Sequence, residues 1–408
     1  MGPRVLIVAP RLDAGGAEIH LSRVLPPLRR AGLDISLYTM SRGGRFEEGL
    51  IAAGVPVLGA RISGAQPIRG LLTVFDLRRQ IRKLRPDILH FFMPEPYLVG
   101  SLAAAGLGGM IKIMSRRSLA DYQRNHPILA RVERRLHRSM NALIGNSSAV
   151  AAQLIAECRE PDKVGVIHNG IELSPPPGQQ TRIARRRELE IPEDAFVIAT
   201  VANLIPYKGH ADLLDALASV RGRLRGPWRL IVMGRDEGIG QDLKRQAEKL
   251  GIGTNVLWLG ERANPQELLA AADLGVLPSH QEGFSNSLIE KMAQGLPVVA
   301  TRVGGNSDAI RDGESGRLVP VAEPTVLGDA IASLYEDPGL RARMGAAARQ
   351  RVESFFTLEA CVRRYLNLYI GIATDRAVPV AQLINPDDKA SGASVELKDL
   401  RPHRSDRG

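Results

Sequence analysis

Two glutamates, Glu282 and Glu290, stand with seven residues between them in the segment Ser279-His-Gln-Glu-Gly-Phe-Ser-Asn-Ser-Leu-Ile-Glu290. The apolar stretch Leu274–Pro278 before them reads as a short buried strand, and Ser285, Asn286 and Ser287 are residue types that start helices. Glu282 therefore belongs to a loop and Glu290 to the first turns of the next helix. Gly295 and Pro297 close that helix, and Pro-Val-Val-Ala opens another buried strand. Unpaired backbone N–H groups at a helix start attract anions, so a phosphate suits the junction. Carboxylates beside a phosphate site suit a ligand that also carries vicinal hydroxyls, because an ionised glutamate accepts their hydrogen bonds. Phosphate and sugar hydroxyls together describe a nucleotide sugar. The same spacing also fits a surface helix with two solvated glutamates, and spacing alone does not separate the two.

Other residues could join such a site. Lys208 follows a predicted strand and precedes Gly209, where an ammonium can reach a diphosphate and offset charge growing on a leaving group; a solvated loop lysine is the plain alternative. Gly15-Gly16 lies between the first strand and a helical pattern, so its backbone can approach phosphate or sugar, or it is simply a turn. It lacks the Gly-x-Gly-x-x-Gly spacing of a dinucleotide fold, which counts against a nicotinamide oxidoreductase. Arg235 and Arg262, each just past a predicted strand, are candidates to flank a nucleotide base. His90, His168 and His280 border strand ends without metal-ligand spacing, and a hydrogen-bonded structural role is the commoner one for such histidines. The chain has no Asp-x-Asp triplet, so the expectation is chemistry without a metal or other cofactor.

The elements that must position these residues emerge from the hydrophobic pattern. Apolar runs recur at Val5–Ala9, Ile35–Met40, Val55–Leu58, Ile88–Met93, Ile111–Met114, Ala142–Gly145 and Val164–Ile167, with helical stretches between them. The alternation pauses at Ser174-Pro-Pro-Pro-Gly178, a stiff segment with linker composition, and resumes at Phe196–Val201, Leu230–Met233, Val256–Leu259, Leu274–Leu277, Val298–Thr301 and Gly316–Val321. A chain of 408 residues exceeds the size at which one core splits. Two parallel α/β sheets in series, with a ligand in the cleft between their domains, are the simplest account. The expected boundaries are 1–175 for the first domain, 176–355 for the second, 356–373 for a last helix, and a flexible tail over 374–408. Cys158 and Cys361 are the only cysteines, which suggests a reducing compartment and a cytoplasmic protein. Val5–Ala9 is shorter than a signal-peptide core, and Tyr97–Ile111 falls short of the ~20 residues that span a bilayer.

Glu-Gly-Phe followed by Leu-Ile-Glu, then Gly-Leu-Pro-Val-Val-Ala and Val-Gly-Gly305, resembles the signature of retaining family-4 glycosyltransferases. The resemblance extends to Val201-Ala-Asn-Leu-Ile-Pro-Tyr-Lys-Gly209, Ile167-His-Asn-Gly-Ile-Glu172 and Pro10-Arg-Leu-Asp-Ala-Gly-Gly-Ala-Glu18, and covers about residues 4 to 370. It implies the two-domain arrangement called GT-B, with two Rossmann-like domains facing across a cleft and a last helix crossing back to the first. It implies transfer of a hexosyl group from UDP- or GDP-hexose with retention of configuration. In that reading Glu290 holds the ribose, while Glu282, Gly283 and the backbone of Phe284, Ser285 and Asn286 orient the hexose. Lys208 stabilises the leaving diphosphate, and the acceptor, a saccharide or polyprenyl-linked sugar, docks on the first domain.

Two positions depart from the family pattern. Asn203 stands where an arginine commonly precedes the lysine, so one positive charge at the phosphates is missing. At Ile113-Met-Ser-Arg-Arg-Ser118 many relatives carry a histidine near the sugar or acceptor. Arg116 or Arg117 is expected to contact an anionic acceptor or supply the missing charge, with a salt bridge inside the domain as the alternative.

The net charge of +10 lies in the first part of the chain: residues 1–180 hold 24 Lys and Arg against 14 Asp and Glu, and 181–408 hold 30 of each. Arg78, Arg79, Arg82, Lys83 and Arg85 form one basic cluster, and Arg131, Arg134, Arg135 and Arg138 another at helical spacing. Such faces serve as solvated surface, as contact with an anionic membrane, or as a nucleic-acid footprint. Aromatics at 4% of the chain leave few stacking platforms, so nucleic acid is not expected as a partner. A peripheral position at the inner membrane face fits a role in surface polysaccharide or glycolipid assembly. A nucleotide-sugar epimerase of the same architecture and a non-catalytic basic binding protein are the competing functions.

Overall fold

The structure, a computed structural model, describes residues 2–13, 15–59, 66–120, 123 and 126–385. Strands rich in Val, Ile, Leu and Ala with no polar alternation must be covered on both faces, which is the condition of a parallel sheet flanked by helices. That is how they are used. Among the described residues every pairing between these strands is parallel.

The chain divides into two compact units, residues 1–168 with 358–408, and residues 169–357. The first carries a seven-stranded sheet in the order β3-β2-β1-β4-β5-β6-β7, formed by Arg4–Ala9, Asp34–Thr39, Val57–Leu58, Ile88–Phe92, Ile111–Arg116, Ala142–Gly145 and Val164–Val166 numbered in chain order. The second carries six strands in the order β10-β9-β8-β11-β12-β13, where β8 to β13 are Phe196–Val201, Trp228–Met233, Val256–Gly260, Leu274–Leu277, Val298–Thr301 and Arg317–Val319. Strand order reverses between β1 and β4 in one sheet and between β8 and β11 in the other. At such a reversal the helices leave to opposite faces and the loops beyond the carboxyl ends part, which opens a crevice for a ligand.

The expected strands all form. Val57–Leu58 and Arg317–Val319 fall furthest short of their apolar runs, because each lies at the edge of its sheet and has only one neighbour to pair with.

The boundaries differ from those expected. The second unit begins at Asn169, ahead of the Pro-rich segment, because Asn169 donates to the Phe284 carbonyl at 3.2 Å and to Asn286 Oδ1 at 2.6 Å, and Ile171 bridges to Thr357. Helix Leu358–Thr374 belongs to the first unit and packs on helix Gly16–Arg30, burying Tyr365, Leu368, Tyr369 and Ile372. The flexible tail expected from 374 is instead structured at its start. The chain forms a further helix there, Val380–Ile384, whose two end residues are buried in the core beside Gly165 of β7. The remainder of that expectation, 386–408, lies outside the described residues. Among the described residues no helix is long and apolar enough to cross a membrane.

Candidate active site

The loops after β8 and β11 leave the second sheet at its reversal, and they bring together the two residues singled out for charge. Lys208 Nζ donates to Glu282 Oε1 at 2.7 Å, with the side chains 20% and 8% exposed. Ser279 Oγ donates to the same oxygen at 2.7 Å. Glu282 Oε2 has no partner among the described residues. The carboxylate is thus fixed through one oxygen and offers the other.

Its loop is held from behind by the Val-Gly-Gly turn after β12. Gly305 N donates to the Gly283 carbonyl at 2.8 Å, and Gly304, at φ 47°, approaches so closely that a Cβ would collide with the Glu282 carbonyl. The Val303-Gly-Gly305 sequence therefore serves to position Glu282.

Helix Asn286–Ala293 starts where Ser285 Oγ accepts from Leu288 N at 3.3 Å. The amides of Asn286 and Ser287 have no acceptor among the described residues, which leaves the donors and partial positive charge an anion needs. Phe284 and Ser285 are buried, Asn286 is half-buried and held by Asn169, and Glu290 is half-buried on the same helix.

One residue of this helix escaped the sequence reading. Lys291 is fully buried, its stem lying in the space left by the missing side chain of Gly275 in β11, and among the described residues its Nζ donates only to Ser287 Oγ, at 3.4 Å. Burial lowers its pKa to about 8, against the raising influence of Glu290 and Glu282 and with further lowering from Lys208. A lysine beside an apparently ordinary glutamate gives no sequence signal of burial; the nearest hint is a glycine inside a strand.

Asn203 accepts from Arg235 N at 3.3 Å and donates to Glu237 Oε1 at 3.2 Å, and the Arg235 guanidinium donates to that same oxygen at 2.6 Å. Arg235 and Arg262 are exposed beyond β9 and β10, so these residues stand on the carboxyl edge that carries Lys208 and Glu282. His280 meets Asp212 Oδ2 at 2.7 Å.

In the first unit Gly15 and Gly16 are exposed at the start of helix Gly16–Arg30, past β1 and beside the reversal. Arg117 is half-buried, with Nη1 donating to Tyr365 Oη at 3.4 Å. His90 lies between Tyr369 Oη and Ser115 Oγ, both at 2.8 Å; burial first, and then the charge of Arg117, lowers its pKa to about 3. It is a neutral, structural histidine at physiological pH.

Arg116 does not meet the expectation set for it. Only 2% exposed, it donates to both oxygens of Glu157, at 2.6 and 2.8 Å, and to Glu133 Oε2 at 3.2 Å. His137, itself held by Tyr97, takes Glu157 Oε2 at 2.9 Å. Burial would raise the Glu157 carboxyl, but hydrogen bonds from His137 and Arg116 bring it down to about 2. The guanidinium is consumed inside the domain. Among the described residues no three His, Cys, Asp or Glu side chains gather in a metal-holding group.

Two parallel sheets with polar groups collected at the carboxyl edges of their reversal points make up the GT-B fold. Solved structures agree: HepE of Anabaena in complex with UDP and glucose superposes with a TM-score of 0.77 at 23% identity, over 89% of this chain and 98% of that one. Sucrose-phosphate synthase of Thermosynechococcus elongatus gives 0.75 at 19% identity, over 91% and 99%. Residues 14–175 match glycosyltransferase family 4, and 181–351 match glycosyl transferases group 1. A D-inositol 3-phosphate glycosyltransferase of Streptomyces scabiei is 32% identical over 383 residues, spanning 84% of this chain and 83% of the relative. The chain belongs to glycosyltransferase family 4.

The buried charges have two measurable consequences. Arg116→Ala takes the buried guanidinium from the carboxylates of Glu133 and Glu157 and lowers unfolding free energy by about 3–5 kcal/mol at pH 7. In the parent, the part of this stability tied to Glu157 is present above pH ~4.5 and fades as pH falls toward 2, because the folded pKa lies below the unfolded one. Urea unfolding at pH 7 and pH 3 measures both. Lys291 has the opposite sign: below pH 8 the folded state carries the full cost of burying an ammonium, and above it the unfolded chain binds more protons, so stability rises toward pH 10.5. Lys291→Met is therefore more stable than the parent at pH 7, by ~3 kcal/mol on the scale of 1.36 per pKa unit, and its advantage shrinks between pH 8 and 10.

Proposed function

We propose that this enzyme transfers a hexosyl group from a nucleoside diphosphate sugar to a saccharide or lipid-linked acceptor with retention of anomeric configuration, in the assembly of surface polysaccharide or glycolipid. The observation that carries the reading is the Lys208–Glu282 pair beside the open amides of Asn286 and Ser287. An anion-accepting helix start and a sugar-accepting carboxylate at one sheet reversal match the two halves of such a donor. UDP-hexose is the first choice because HepE has been solved with UDP and with UDP-glucose at high coverage of this fold; GDP-hexose is the second.

In this reading the diphosphate lies against the amides of the first turn, and Lys208 neutralises the charge that grows on it as the glycosidic bond breaks. Glu290 accepts from the ribose hydroxyls, and the unpartnered oxygen of Glu282 accepts from the hexose, aided by Gly283 and the backbone of Phe284, Ser285 and Asn286. Arg235 and Arg262 border the base. The missing arginine at Asn203 is compensated from within by Lys291, whose ammonium lies one hydroxyl, Ser287, from the helix start. Protein groups supply this stabilisation, with no role for a divalent ion. In the first unit Gly15 and Gly16 offer exposed backbone to a phosphate or sugar oxygen, and that unit, Arg117 included, receives the acceptor. An anionic acceptor fits its excess of positive charge, as the inositol phosphate in the name of the Streptomyces relatives illustrates for those enzymes.

The test is donor binding and then kinetics. UDP-glucose, UDP-galactose and GDP-mannose are screened by thermal shift, and at least one raises the melting temperature of the parent. With the donor so found, Glu290→Ala raises donor KM tenfold or more with little change in kcat, whereas Glu282→Ala lowers kcat a hundredfold or more. No shift with any of the three, or equal small effects from both substitutions, contradicts the reading.

A further inference from the structure

One group of charges lies together in the first unit, away from the residues proposed to bind the donor. Helix Pro127–His137 buries Ala130, Glu133 and His137 and exposes Arg131, Arg134 and Arg135, with Arg138 as its exposed C-terminal cap. Arg159 ends helix Ser148–Cys158 in left-handed backbone, φ 59°. The five arginines, with Glu157 and Cys158, line a cavity of about 410 Å³, within the ~300–1,000 Å³ range of small-ligand sites. None of its lining residues lies in a loop beyond a strand's carboxyl end, so it is separate from the candidate active site.

Its electrostatics are one-sided. Arg134 Nε donates to its own helix at the Ala130 carbonyl, and none of the five guanidiniums meets a carboxylate among the described residues. The single acid on the wall, Glu157, already has both oxygens taken by Arg116 and His137, so it does not offset the cluster. Arg131 with Arg135, and Arg134 with Arg138, are like-charge pairs at i,i+4, which weaken a helix unless an anion sits between them. Guanidinium groups match phosphate oxygens through paired N–H donors.

We propose that this cavity is a second binding site, taking a phosphate-bearing anion: a soluble diphosphate or the phosphate headgroup of an anionic lipid. Ile128 and Val132, 75% and 43% exposed on the same helix, flank the basic residues where the acyl side of a lipid would lie. The site does not depend on the donor reading.

The experiment compares the parent with Arg131→Gln/Arg135→Gln/Arg138→Gln, whose substituted positions are exposed and whose melting temperature reports folding. One arm titrates inorganic pyrophosphate by calorimetry at about 50 mM salt, where screening is weak. The other sediments protein with vesicles of phosphatidylglycerol and phosphatidylcholine, against phosphatidylcholine alone. A loss of at least tenfold in the variant's affinity in the pyrophosphate arm alone identifies a soluble phosphate ligand. The same loss with phosphatidylglycerol vesicles, reproduced in part by Ile128→Ser, identifies a lipid headgroup. Equal behaviour of parent and variant in both arms, which would assign any pyrophosphate binding to the second unit, overturns the proposal, as does no binding by the parent in either. The thermal shift with a nucleotide sugar is unchanged by the triple substitution, which keeps this outcome separate from that of the donor reading.

Discussion

The candidate site of the second unit depends on holding like charges together at the reversal point of one sheet. Lys208 and the buried Lys291 both act near the start of helix Asn286–Ala293, where the peptide dipoles add further positive potential. Glu282 is what makes this arrangement tolerable in the absence of ligand: it neutralises Lys208 at contact distance and helps to keep Lys291 protonated at neutral pH. The remainder of the local structure serves that carboxylate. Ser279 fixes its free rotation, the Val303–Gly305 turn supports its loop, and Thr301 ties the Ser279 carbonyl to β12.

The first unit treats polarity differently. Its interior holds His20, His90, Tyr365 and Tyr369 in a connected cluster in which burial, the largest influence on each, keeps the histidines neutral and the tyrosines protonated. Two of these residues come from helix Leu358–Thr374, so the late segment of the chain is joined to the early one by hydrogen bonds as well as by apolar packing. The Arg116–Glu157–His137 network is a second interior charge system, and removing one member takes a close partner from a charge that stays buried. A buried network of this kind fixes one arrangement of helices Pro127–His137 and Ser148–Cys158, and that arrangement is what gathers the surface arginines.

Fold was legible because continuous apolar runs of four to six residues have few other uses than buried parallel strands, and their alternation with helical stretches leaves little choice of architecture. The positions of Glu282, Lys208, Ser285 and Glu290 were legible through local rules: strand, loop, N-cap, helix. What lay beyond reach depended on distant partners. Arg116 looks like a ligand contact when read within its own strand, but Glu133 and Glu157 lie 17 and 41 residues away and take it. Lys291, on a helix, looks solvated until Gly275, on the preceding strand, makes room for it. The unit boundary at Asn169 was hidden because its side-chain amide serves a loop over a hundred residues later, while the Pro-rich segment gave a stronger local signal.

If the donor reading holds, a buried ammonium lies close enough to the bound diphosphate for each to strengthen the other. Isothermal titration of the parent with UDP at pH 8, in buffers of different ionisation enthalpy, counts the protons exchanged on binding. With Lys291 about half protonated in the free protein, the account predicts uptake of up to about half a proton, and no such uptake in Lys291→Met. Equal proton exchange in the two proteins, with UDP bound by both, would contradict it.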